Sequence, residues 1–156
     1  QTESVSESES TVSTVNINKK EVSSIKIGSL EVMTEDFDRW MTWDGAHKAC
    51  ADLGEGWRLP TLDELNIIYQ NKAKIGGFND SIVWPYNSYW SLKEDSDDWG
   101  LVFDLSEQDH GVLNDMYGSK SKDDKANVRA VRGPYVYGVI DADMLNRRGL
   151  DSWEQE

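Results

Sequence analysis

His47 and Cys50 stand three positions apart on one helix face, a spacing that can pair an imidazole with a thiol. A cysteine nucleophile also needs an orienting group and an oxyanion site, and neither is legible nearby. The packed reading, with Cys50 as a small hydrophobe, is therefore preferred and no catalytic residue is assigned. Glu94, Asp95, Asp97 and Asp98 crowd one loop, with Asp104, Glu107 and Asp109 on a later turn. Oxygen-rich loops can hold Ca²⁺, but the spacing fits no EF-hand and a hard cation needs convergent ligands. A solvated acidic loop is the expectation, and this loop is where a cation would be sought. Trp84, Tyr86, Tyr89, Trp90, Trp99 and Tyr117 form a third group, rich enough in ring faces to stack on a sugar or a protein partner. Arg58, Arg129 and Arg132 form a fourth, able to grip a phosphate or carboxylate.

The chemistry these groups can do is bounded by the rest of the chain. Of 156 residues, 29 are acidic and 16 basic, a formal net charge of −13. Such a chain repels nucleic acid and anionic membrane surfaces, so neither is an expected partner. One cysteine excludes an intrachain disulfide and any cysteine-rich metal site. No apolar run approaches the ~20 residues needed to cross a bilayer. The first residue, Gln1, is compatible with a removed leader.

The elements that must position these residues are organised around Gly56-Trp57-Arg58-Leu59-Pro60-Thr61. Pro60 fixes its own φ and pushes Leu59 out of the α region, so the chain enters extended. Thr61 then reads as an N-cap and Glu64 completes a Thr-x-x-Glu capping box. Leu62, Leu65, Ile68 and Tyr69 follow at helical spacing, to a stop at Gly76-Gly77. An earlier helix is predicted from Thr42, with Trp43, Ala46, Cys50 and Leu53 on one face and Gly54 ending it. Val15 and Ile17, and again Ile25 and Ile27, alternate with polar residues as short strands. Leu30 to Phe37 reads as a strand and turn. Leu101-Val102-Phe103, Val112-Leu113 and a closing stretch from Asn127 to Arg132 read as further strands. The closing stretch does not alternate cleanly, so both its faces should be covered and each Arg should need an acceptor.

Four features occur together in one known family: Trp43-x-x-Ala46 with Cys50, the Gly-Trp-Arg-Leu-Pro-Thr turn with Glu64-Leu65, Tyr89-Trp90-Ser91, and Val128-Arg129-Ala130-Val131-Arg132. Over about residues 28–133 the chain resembles the bacterial C-type-lectin-like domains found at the C-terminus of collagen-like adhesins. The resemblance implies an α+β, C-type-lectin-like fold, with two helices flanking a small twisted antiparallel sheet. It implies structural roles for Trp57, Arg58, Pro60, Thr61, Glu64, Trp90, Arg129 and Arg132, with Trp57, Trp90 and Trp99 internal. The arginines would then bridge Glu64, Asp63 or Asp104, while Trp84, Tyr86 and Tyr117 would be exposed and available to a ligand. The Glu-Pro-Asn, Gln-Pro-Asp and Trp-Asn-Asp motifs of calcium-dependent sugar-binding lectins do not occur, nor do paired disulfides. Leu92 stands where a second Ser often follows Tyr-Trp-Ser. A shared fold does not by itself transfer sugar binding.

The expectation is thus a Ser/Thr/Glu-rich N-terminal arm over 1–24, a C-type-lectin-like domain over 25–133 and a C-terminal extension over 134–156. The function expected is that of a non-catalytic structural or adhesive domain at a cell or virion surface, without a cofactor. Its arms would hold it to protein partners, as a homo-oligomer or larger assembly. The alternative is a module that binds a glycan or receptor through the loops between Gly77 and Gly118.

Overall fold

A computed structural model of the chain describes residues 22–79, 87–106 and 116–142. Strands β1 (Ser24–Ile27) and β2 (Leu30–Met33) form an antiparallel hairpin, Ile27 facing Leu30 across a two-residue turn. Gly28 adopts φ of 64° there, a conformation that a residue with a Cβ reaches only at a cost. Helices α1 (Trp43–Asp52) and α2 (Leu62–Gln70) follow, then a short helix α3 (Lys72–Ile75). A second antiparallel sheet comprises β3 (Ser88–Glu94), β4 (Trp99–Asp104) and β5 (Tyr117–Ser121), in that order. Strand β6 (Val131–Arg132) returns to β2, pairing Val131 with Val32 and Arg132 with Glu31.

Both long helices begin where their capping residues predict. The Thr42 hydroxyl accepts from the Gly45 N–H, and Thr61 forms a complete capping box with Glu64. Each side chain satisfies an N–H that has no partner within its helix. The second helical stretch does not run unbroken to Gly76: Asn71 leaves helical geometry, and one further turn carries the chain to Gly76 at φ of 80°.

The closing stretch departs from its expectation as a continuous strand. Only Val131 and Arg132 pair as one, because residues 126–131 are shared among several partners. Ala126 bridges Met41, Asn127 bridges Tyr89 and Val131 bridges Arg58, while Met33 donates to the Ala130 carbonyl at 3.1 Å. This stretch is the seam between the two sheets, and residues 126–131 are all buried, as predicted for covered faces. The core divides about the seam. Leu30, Val32, Leu62, Leu65, Ile68, Phe103 and Ile140 pack on one side. Trp43, Ala46, Cys50, Trp57, Leu59, Trp90, Val128 and Ala130 pack on the other.

Ile140 belongs to the C-terminal extension yet is fully buried in this core. Through residue 142 the extension therefore packs into the folded body. Residues 1–21 and 143–156, with Val15 and Ile17 among them, lie outside the described residues, as does Val112-Leu113.

Candidate functional site

The Gly-Trp-Arg-Leu-Pro-Thr turn, the N-terminal turn of α2 and the C-terminal segment meet at the carboxylate of Glu64, which is fully buried. Its Oε1 accepts from Arg58 Nη1 at 2.7 Å and from the Thr61 N–H at 2.9 Å. Its Oε2 accepts from Arg58 Nη2 at 2.9 Å and from the Val136 N–H at 2.7 Å. The guanidinium of Arg58 also lies 3.9 Å from the centre of the Tyr135 ring, which stacks on Tyr137. A bidentate pair in which both carboxylate oxygens are met is the form of buried ion pair that offsets its own desolvation.

A second centre surrounds Arg129, whose side chain has no solvent exposure. It donates to Asp36 from Nε at 2.9 Å, to the Met33 and Gly76 carbonyls at 2.9 and 3.0 Å, and to the Gly77 carbonyl at 2.6 Å. Asp36 Oδ2 takes the Tyr89 hydroxyl at 2.6 Å and the Asn79 N–H at 3.2 Å. Burial raises the Asp36 carboxyl from its ordinary value, opposed by Arg129 and by the Tyr89 hydrogen bond. Burial likewise raises the Tyr89 phenol. Gly77 makes this approach feasible, since a Cβ there would meet the Thr34 carbonyl oxygen at 2.2 Å.

The third arginine, Arg132, pairs with Glu31 at 2.9 Å and lies over the Trp57 ring. Arg58 thus takes one of its expected partners, whereas Arg129 and Arg132 do not bridge Asp63 or Asp104. Asp36 and Glu31 replace them because the seam brings β6 beside β2. Asp104 instead accepts from the Ser106 N–H, and Asp63 serves the C-terminal segment.

Cys50 is fully buried, and burial pushes its thiol up to about 12. A thiol so far from ionisation is a poor nucleophile. His47 lies edge-on to Trp43, with ring centres 4.2 Å apart, and burial lowers its imidazole below the ordinary histidine value. The pair is a packed helix face.

Glu94 pairs with Lys122 at 2.9 Å and Asp95 accepts the Ser119 hydroxyl, while Asp97 and Asp98 are exposed. Among the described residues no three His, Cys, Asp or Glu side chains gather as a metal site. Trp57 and Trp90 are buried, but Trp99 is 46 % exposed, against its internal assignment. Its strand neighbour Gly100 is the residue that faces Trp43 and Trp90, so alternation along β4 turns Trp99 outward. Tyr117 opposes Phe103 and is half-buried against the core rather than displayed. Trp84, Tyr86, Glu107 and Asp109 lie outside the described residues.

Three features were not singled out in the sequence. Trp40, 42 % exposed, donates its indole N–H to Asn127 at 3.0 Å. It helps to line a hollow of about 270 Å³ with Asp38, Arg39, Phe78 and Asn79. Asp36, whose side chain is 15 % exposed, and Asp141, which is buried, are carboxyls with partners tens of residues away, so only their residue types were visible beforehand.

These observations define a mixed α+β domain of two small antiparallel sheets and few helices. Among its described residues no helix is long and apolar enough to cross a membrane. No protein-family model matches the chain, and no curated protein matches it in sequence. Among solved structures, botrocetin is similar, with a TM-score of 0.49 at 11 % identity over 71 % of this chain and 96 % of that one.

Proposed function

We propose that the chain is a non-catalytic, C-type-lectin-like domain of the bacterial adhesin type. Its work is structural or adhesive, outside a cell or on a virion, and it holds protein partners, copies of itself included. The observation that carries this reading is the use made of the motif residues. Arg58, Glu64, Arg129 and Arg132 are each committed to ion pairs that lock the turn, the seam and the helix start. The signature is accordingly that of a scaffold, and recognition falls to surfaces and terminal segments outside it.

Size measurement by light scattering on the full chain, and on chains lacking 1–21 or 143–156, tests the assembly role. The expected result is a multimer that reverts to a folded monomer when an arm is removed. A full chain that stays monomeric at all concentrations would refute it. A second reading, glycan or receptor binding through the loops between Gly77 and Gly118, is supported by the hollow beside Trp40, Phe78 and Asn79. An array of glycans, probed with and without Ca²⁺, tests that reading, and a blank in both conditions counts against it.

A further inference from the structure

Beyond the last strand the chain crosses the N-terminal turn of α2 and is held there by two aspartates that cap each other. The Asp63 carboxylate accepts the N–H groups of Gly138, Ile140 and Asp141 at 2.9, 3.1 and 2.8 Å. In return an Asp141 carboxyl oxygen accepts the Asp63 N–H at 3.2 Å. Thr61 adds its hydroxyl to the Val136 carbonyl at 2.6 Å, and Ile140 fills the core beneath. Asp141 is 3 % exposed, and its other oxygen, Oδ1, meets no hydrogen-bond donor among the described residues. An ionised carboxylate left in that condition carries a full desolvation cost, which the neutral acid avoids. The charged groups facing it are Asp63 and Glu64 on α2, with the Tyr137 phenol on its own segment. Arg58, the nearby cation, is bidentate with Glu64.

We propose that residues 134–142 form a proton-operated latch, in which Asp141 is a neutral acid hydrogen-bonded to the Asp63 carboxylate and loses its hold when ionised. The supporting energetics agree in sign. Burial, then the hydrogen bond to and the charge of Asp63, raise the Asp141 carboxyl to about 8. An open segment would release that proton in the ordinary carboxylate range. Closing therefore takes up a proton between that range and about pH 8, and the latch weakens steadily across the interval as pH rises. Asp63 acts oppositely. Burial opposes its charge, but the hydrogen bonds from Asp141, Ile140 and Gly138 outweigh it and lower the carboxyl. Its contribution is complete above the ordinary carboxylate range and is lost only in acid. The latch is thus tightest in mild acid and loosest in mild alkali, and releasing it frees the C-terminal segment without dismantling the sheets. This holds whether or not the arms mediate assembly.

The experiment is amide hydrogen exchange on the full chain from pH 5 to pH 9, corrected for intrinsic rates. The amides of Gly138, Ile140 and Asp141 are followed beside those of Leu65 and Ile68 in α2. The expected result is a fall in protection of about tenfold or more at the three latch amides between pH 5 and 8. It should be absent in Asp141→Asn, which keeps the shape and both hydrogen bonds without the ionisation. In the unmodified chain, carboxyl carbon titration by NMR should place Asp141 far above the other aspartates. Protection that is flat in both proteins, or an Asp141 carboxyl that ionises in the ordinary range, overturns the proposal. An equal loss at Leu65 and Ile68 also overturns it, because the whole domain would then be responding.

Discussion

Replacing Glu64 with Ala removes one carboxylate and strands three groups at once: the Arg58 guanidinium and the N–H groups of Thr61 and Val136. Breaking a buried ion pair by deleting one partner costs about 3–5 kcal/mol. Each buried N–H left unmet adds about 1–3 kcal/mol. These figures do not add in full here. The Arg58 side chain is 14 % exposed and turns toward solvent, and water follows it to the freed amides. The net expectation is about 4 kcal/mol, a large part of the 5–15 kcal/mol that holds a typical domain together. Guanidinium unfolding followed by tryptophan fluorescence measures it, with an unchanged m-value showing that the denatured state is the same. The melting temperature should fall by roughly 10 °C, at about 2–4 °C per kcal/mol for chains of this size. Glu64→Gln keeps the shape and one acceptor, and should cost about half as much. The pair Arg58→Met with Glu64→Leu should recover only the part due to the stranded guanidinium, since apolar replacement of a whole buried ion pair is often neutral but the Thr61 and Val136 N–H groups stay unmet. A loss below about 1 kcal/mol for Glu64→Ala would refute the view that this carboxylate fastens turn, helix and C-terminal segment together.

Other changes separate the scaffold from its surface. Gly77→Ala forces a Cβ onto the Thr34 carbonyl at a residue with φ of 74°, and should cost more than about 2 kcal/mol in the same denaturation assay. The Cys50 thiol should resist alkylation by iodoacetamide in the folded protein and react only as fast as the domain unfolds. Trp99→Ala should leave stability within about 1 kcal/mol, whereas Trp90→Ala in the core should cost about 3–5 kcal/mol, both read from melting curves.

What was legible in the chain beforehand shares one property: its cause lies within a few residues of its effect. Thr42 and Thr61 start helices because their hydroxyls reach N–H groups three positions on. Pro60 extends the entry to α2, and the Arg58–Glu64 pair spans only six positions. Burial of Trp57 and Trp90 followed from the family resemblance, and the same inference misplaced Trp99, where the phase of the β4 pleat decides which side chain faces inward. The partners of Arg129 and Arg132 lie 93 and 101 positions away, and those of Asp63 75 to 78. Residue types announce that a buried arginine or aspartate needs a partner, but not which of 29 acidic residues supplies it. That choice belongs to the sheet registers. Pairing Glu31 with Arg132 and Val32 with Val131 carries the seam past Asp36 and sends the chain over the start of α2, where Asp63 meets Asp141. Local sterics and capping thus made the helices readable from the chain alone, while burial of charge, which depends on what the far end of the chain brings, was decided only by the assembled sheets.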